Sequence, residues 1–284
     1  MGTIVTIANH KGGVGKTTLI LNLSSYLTKY YKNILVLDFD PQANTTWGLF
    51  NLADQQKVMI HDVLKYGVAH ELESDEDYEN FNQIIWSARV EMTKNDGRVS
   101  LIGSSLDLAA TKKELSKYDS EVYFKIIDVV RYLSKDYDLT LIDTPPSLEM
   151  LTASAIYGSD YLLLPIQLDL MAIRGATDIL KNVLTTAHKY YNANMRVLGV
   201  IVNLHKDTRS QRVSNEVAKK TFGNLLFKTI ISQSEKIKSL AVSRGTVDNY
   251  SPKSKASDQF TSLAQEIYER IEEGKHGKEK QSAS

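Results

Sequence analysis

The chain has 284 residues, with 34 Lys and Arg against 34 Asp and Glu, six His and no cysteine. Its 42% apolar and 24% charged content is globular composition, which excludes a fibrous or wholly disordered chain, and the missing thiols exclude a disulfide scaffold, a thiolate metal site and a cysteine nucleophile. No apolar run approaches the ~18–20 residues of a membrane span and the first residues lack a signal peptide's basic-then-apolar order, so a cytoplasmic protein is expected.

In chain order, a strand is expected at residues 3–8 (TIVTIA), then the stretch Asn9-His10-Lys11-Gly12-Gly13-Val14-Gly15-Lys16-Thr17-Thr18, then a helix over 16–30. Three glycines in four positions let the backbone turn tightly and aim successive N–H groups at one anion. The helix N-terminus behind them adds a favourable dipole. Gly12, Gly13, Val14, Gly15, Lys16, Thr17 and Thr18 are therefore the candidate cradle for a phosphate chain. Lys16 can reach the β- and γ-phosphates and the Thr17 hydroxyl can ligate Mg²⁺, so ATP and Mg²⁺ are the expected cofactors.

The next strand, 34–37 (ILVL), runs into Asp38-Phe39-Asp40-Pro41-Gln42-Ala43-Asn44-Thr45-Thr46. A carboxylate at Asp40 can accept hydrogen bonds from a water near the γ-phosphate, a positioning role. Residues 71–80 hold Glu71, Glu73, Asp75, Glu76, Asp77 and Glu79 with no basic residue, a run read as a solvated loop. After a helix over 123–133, the strand 139–142 (LTLI) delivers Asp143-Thr144-Pro145-Pro146. An aspartate closing an apolar strand suits Mg²⁺, held directly or through water.

The remaining expected elements are a strand at 161–165 (YLLLP), a helix over 173–190, a strand at 197–202 (VLGVIV) followed by Asn203, a helix over 210–220 and a strand at 227–231 (FKTII). A last helix over 256–273 carries Phe260, Leu263, Ala264, Ile267, Tyr268 and Ile271 at helical spacing, and 274–284 read as a flexible polar tail. Nearly continuous apolar strands alternating with helices predict an α/β fold. It is a doubly wound, mostly parallel sheet flanked by helices, in one domain over 1–273.

The phosphate loop departs from the general pattern G-x-x-x-x-G-K-[ST], because His10 stands where a glycine belongs and Lys11 precedes the glycine pair. Its K-G-G-x-G-K-[ST] signature resembles the deviant Walker A ATPases, which include ParA-type partition ATPases, MinD-type division-site ATPases and the nitrogenase iron protein. The D-x-D-P-Q-x-N-x-T stretch from Asp38 resembles the switch I segment of the ParA group. Leu164-Pro165-Ile166-Gln167 with Ala172, Arg174 and Gly175 resembles its P-x-Q…A-x-x-G stretch. The segment at 250–255 resembles Y-D-P-x-S-x-G, with Ser251 for the aspartate and Ala256 for the glycine. The resemblance covers roughly residues 1–271 and is weakest at 70–100.

That resemblance implies a P-loop ATPase forming an ATP-dependent homodimer, in which Lys11 crosses to the partner's phosphates. It implies that Asp40 orients the attacking water, that Asp38 supports the metal site or the loop, and that Asn203 lies where the superfamily contacts adenine. Absent cysteines separate the chain from iron proteins. The C-terminus lacks the large apolar face of a membrane-binding helix, and Lys11 lies too near the start for a preceding DNA-reading domain, so the short ParA form is expected.

Residues 205–255 hold eleven Lys or Arg against four Asp or Glu. Such a segment is either a solvated face or an electrostatic footprint for phosphates. The resemblance favours the second and points to Arg209, Arg212, Lys219, Lys220, Lys236 and Lys238 as contacts to non-specific double-stranded DNA, Arg212 and Lys236 foremost. It further implies a ParB-like centromere-binding partner that stimulates hydrolysis, no membrane partner and a nucleoid-associated location. The alternatives are a MinD-like positioning ATPase acting on membrane or protein partners without DNA, and a P-loop kinase or ligase.

Overall fold

The computed structural model describes residues 2–49, 58–70, 72–95, 97–118, 120–243 and 245–282. They build one eight-stranded sheet in the order β3-β4-β2-β5-β1-β6-β7-β8. β1 (Thr3–Ile7), β2 (Asn33–Asp38), β4 (Gly97–Ile102), β5 (Leu139–Asp143), β6 (Tyr161–Ile166), β7 (Arg196–His205) and β8 (Leu226–Ser232) are parallel, and β3 (Arg89–Lys94) closes one edge antiparallel to β4. The expected mostly parallel sheet is therefore the observed one.

Side-chain alternation sorts the helices onto two faces. Val5, Ile7, Ile34, Val36, Leu139 and Leu141 point to one face, where they meet Leu19, Ile20 and Leu23 of α1 (Lys16–Tyr26). The same layer holds Ile237 of α10 (Glu235–Ser243), Val247 of α11 (Val247–Tyr250) and Phe260, Leu263, Ile267 and Ile271 of α12 (Lys255–Ser282). The opposite face packs Ile4, Leu35, Leu37 and Ile142 against α3 (Ile60–Ala69), α4 (Asp75–Ala88), α5 (Asp107–Leu115), α6 (Glu121–Ser134) and α7 (Met150–Gly158). Farther along that face, Leu162, Leu164, Val200 and Val202 meet α8 (Leu170–Thr186) and α9 (Arg209–Phe222). Each fully buried Leu, Ile or Val contributes about 1.5–3 kcal/mol, so covering both faces explains strands that read as unbroken apolar runs.

Several expected boundaries shift. α1 ends at Tyr26 and passes into a tighter 3₁₀ turn over Leu27–Lys29. α8 ends at Thr186 and widens into a π-helical turn over Ala187–Tyr191. β7 extends to His205, so Asn203 lies inside the strand rather than after it. α12 continues through Gly274 to Ser282.

The acidic run is corrected most. Apart from Glu71, which lies outside the described residues, it leads into α4. Ser74 Oγ accepts from Asp77 N at 3.1 Å while Asp77 Oδ2 accepts from Ser74 N at 3.0 Å, so the helix starts on a capping box. Asp75, Glu76 and Asp77 then face the positive end of the helix dipole, where negative charge is stabilising. The region of weakest family resemblance also supplies β3 and β4, and β4 pairs directly with β2 from Asn33↔Arg98 to Leu37↔Ile102.

Candidate functional site

The carboxyl ends of β1, β2, β5, β6 and β7 converge on the segment between β1 and α1, the place where doubly wound sheets bind ligands. Gly13 and Gly15 take positive φ values of 74° and 85°, backbone that favours glycine. A Cβ on Gly15 would collide with the Asn203 side chain, so no larger residue fits there. Asn203 is buried, its Nδ2 donating to Val14 O at 2.8 Å and its Oδ1 accepting from Leu204 N at 2.9 Å. Its amide thus braces the loop from β7. Gln167, at the end of β6, adds a second brace through Nε2 to Gly13 O at 3.0 Å.

Lys16 opens α1 and is only 7% exposed, with Nζ donating to Asn9 O at 3.2 Å. Burial lowers its affinity for the proton, and the carboxylates of Asp143 and Asp40 act to keep it charged. One residue on, Thr17 Oγ1 donates to Asp143 Oδ2 at 2.8 Å. Thr45 Oγ1 donates to the same oxygen at 2.6 Å. Asp143 therefore ties the phosphate loop to α2 (Asn44–Leu49), the short helix after β2.

Asp38 and Asp143 are register partners across β2 and β5, and both are fully buried. Burial first, then the neighbouring Asp143 charge, raises the Asp38 pKa to about 7. Burial also raises that of Asp143, against the hydrogen bonds from Thr45 and Thr17. Asp38 Oδ2 accepts from Thr46 N at 2.9 Å and from Thr46 Oγ1 at 2.7 Å, and its Oδ1 accepts from Asp40 N at 3.1 Å. Its carboxylate thus folds the following segment back on itself. Asp40 is 8% exposed and its Oδ1 accepts from Gln42 N at 2.9 Å.

Thr17 and Asp143 are hard oxygen donors at the rim of a phosphate cradle, which suits Mg²⁺. Among the described residues no three His, Asp or Glu side chains form a metal cage. Lys11 stands apart from this buried set. Its Nζ pairs at 3.0 Å with Asp169, the N-cap of α8, and both side chains are 45% exposed.

The six basic candidates divide into two groups. Arg212 forks onto Asp207 at 2.7 and 2.8 Å, Lys219 pairs with Glu216 at 2.8 Å, and Lys238 with Glu235 at 2.6 Å. Arg209, Lys220 and Lys236 are exposed and have no acidic partner among the described residues. The sequence could not separate the groups, because an i,i+3 Glu–Lys pair and a free lysine differ only in geometry. Thr45 and Gln167 were visible within motifs without a role, and the role of Asp169 had no sequence signal beyond its place after β6.

Comparison with known proteins follows the same outline. A family model described as an AAA domain matches residues 2–197. Another, described as 4Fe-4S iron sulfur cluster binding proteins of the NifH/frxC family, matches 157–277, but the chain has no cysteine to hold such a cluster. The sporulation initiation inhibitor protein Soj of Bacillus subtilis is 31% identical over 94% of this chain and 98% of its own length. The chromosome-partitioning ATPase Soj of Treponema pallidum is 32% identical over 95% and 98%. Among solved structures, the septum site-determining protein MinD of Pyrococcus horikoshii, complexed with Mg-ADP, superposes with a TM-score of 0.70 at 24% identity, covering 94% of this chain and 96% of that one.

Proposed function

The chain belongs to the ParA/Soj family of partition ATPases, and on that premise we propose that it is a DNA-segregation ATPase whose nucleotide state controls its grip on DNA. It hydrolyses ATP with Mg²⁺. The observation that carries this reading is the Thr17–Asp143–Thr45 hydrogen-bonded cluster beside buried Lys16.

Bound Mg²⁺–ATP supplies the electrophilic γ-phosphoryl group and the cation that offsets its charge. The chain supplies the cradle of Gly12, Gly13, Val14, Gly15, Lys16, Thr17 and Thr18. Lys16 neutralises phosphate charge, Thr17 and Asp143 hold Mg²⁺ with Asp38 shaping the segment beside them, and Asp40 orients water. Asn203 supports the loop and lies beside the place assigned to the base. Lys11 is proposed to leave Asp169 for the phosphates of a second copy, where a trans cation acts as an arginine finger does. An exposed ion pair is worth about 0–1 kcal/mol, so Asp169 is a weak restraint.

DNA contact is assigned to the basic side chains of α9 and α10, which lie on opposite faces of the sheet. Arg209, Lys220 and Lys236 contact phosphates directly, and Arg212, Lys219 and Lys238 do so after leaving their acidic partners. Contacts of this kind read the DNA backbone and are insensitive to sequence. The apolar stripe of α12 (Phe260, Leu263, Ala264, Ile267, Ile271) is spent on the sheet, which supports DNA over a lipid surface. A ParB-like centromere-binding protein is the proposed stimulating partner. The test is phosphate release from ATP. Slow, Mg²⁺-dependent turnover that Lys16→Ala abolishes is expected, and equal turnover in Lys16→Ala would overturn the reading.

A further inference from the structure

α1 carries the phosphate loop at its N-terminus, yet its C-terminal half buries Asn22, Ser24 and Ser25, where a packed helix would ordinarily present apolar side chains. Two of these reach across more than 220 residues of sequence. Asn22 Oδ1 accepts from Val247 N at 2.7 Å while its Nδ2 donates to Thr18 O at 2.8 Å. Ser25 Oγ donates to Asp248 Oδ2 at 2.7 Å. Val247 is the first residue of α11, so its N–H has no partner within that helix and Asn22 supplies one. On the next turn, Tyr26 Oη donates to Ser257 Oγ of α12 at 2.8 Å.

These bonds stand between the two functional regions. At 1.5 Å per residue, Asn22 and Ser25 lie about 9 and 13.5 Å along the helix axis from Lys16. On the far side, α11 follows α10, which bears Lys236 and Lys238. Ile237 of α10 is buried in the same apolar cluster as Val247, Leu19 and Leu23. A displacement of α1 at its loop end would be passed to α11 by buried polar bonds and to α10 by packing.

We infer that the Asn22–Val247 and Ser25–Asp248 hydrogen bonds are the joint through which the nucleotide site sets the placement of the basic α10 segment. Asn22, Ser25 and Asp248 are positioning residues for ATP-controlled DNA binding. The inference rests on the proposed function and deepens it. Apolar contact alone would let α11 slide on α1, whereas two directional bonds tie its register to that of α1.

The experiment measures the affinity of the full chain for an unrelated DNA duplex in ATP and in ADP at one salt concentration, together with phosphate release without DNA. Wild-type protein binds more tightly in ATP. Asp248→Ala and Ser25→Ala each lower the ATP-to-ADP affinity ratio about fivefold, the worth of one hydrogen bond, and leave basal phosphate release within about twofold. Asp248→Asn keeps an oxygen that can accept from Ser25 and restores the ratio. A purely structural role would weaken binding equally in both nucleotides. Should Asp248→Ala fail to fold, Ser25→Ala removes the same bond from the other side. A wild-type ratio in both alanine variants overturns the inference and leaves the proposed function standing. Equal wild-type affinity in ATP and ADP overturns both.

Discussion

The carboxyl ends of the central strands and the basic side chains of α9 and α10, two helices on opposite faces of the sheet, both carry charge, and they handle it in opposite ways. At the strand ends Lys16, Asp38, Asp40 and Asp143 are at most 8% exposed, and each is hydrogen-bonded to backbone or to a threonine hydroxyl. On α9 and α10 all six candidates are exposed and half are already paired with neighbouring acids. Buried charge in a low-dielectric setting must be held in one geometry, which is what positioning a phosphoryl group requires. Exposed charge stays mobile and screened, which suits a uniform polyanion that presents phosphates in any register.

Removing buried charge should therefore cost far more than removing exposed charge. Lys16→Ala is expected to reduce ATP turnover at least about 10³-fold and to remove ATP-dependent DNA binding with it, read by phosphate release and a DNA shift assay. Asp40→Ala should lower turnover about 10²-fold while ATP binding stays within a few-fold, since Asp40 positions water and not nucleotide. Wild-type turnover in Asp40→Ala would remove its assigned role. Replacing Arg209, Lys220 and Lys236 together by alanine should leave DNA-free turnover intact. It should make the log–log salt dependence of DNA binding shallower by about 0.9 for each DNA phosphate no longer neutralised.

Asp38 gives the comparison a pH dependence. Its raised folded-state pKa means the folded protein holds a proton that the unfolded chain releases, so this group's contribution to stability falls as pH rises from about 4 to about 7. Asp38→Asn cannot lose that proton. The Tm of the nucleotide-free variant minus that of wild type should therefore rise between pH 5 and pH 8 by a few degrees in a thermal melt. A difference that falls over this range would contradict the burial argument. The smallest effect is expected on α9, where Asp207→Ala frees the Arg212 fork and should tighten DNA binding about two- to threefold.

How much is legible in the sequence follows the same division. Gly13, Gly15, Lys16, Thr17, Asp40 and Asp143 stand out because buried site geometry restricts residue type, and the structure brings them to one mouth. β4 escapes a sequence reading because Ser100, although buried, breaks its apolar run. α4 reads as a loop because the acidic run dominates its start, although Tyr78, Phe81, Ile84, Ile85 and Ala88 recur at helical spacing behind the Ser74–Asp77 cap. The partnering of Arg212 with Asp207, five residues earlier and outside the helix, depends on a backbone turn that no periodicity encodes. Asn22 and Ser25 read as ordinary interruptions in α1, since their partners lie at the other end of the chain.

The central claim is that the buried site governs the exposed one. The most direct test is binding of the full chain to unrelated DNA duplexes in ATP, ADP or no nucleotide across a salt series. Binding in ATP should be independent of sequence and weaken steeply with salt, with little binding in the other two states. Equal binding in all three states, or none at any salt, would contradict the claim.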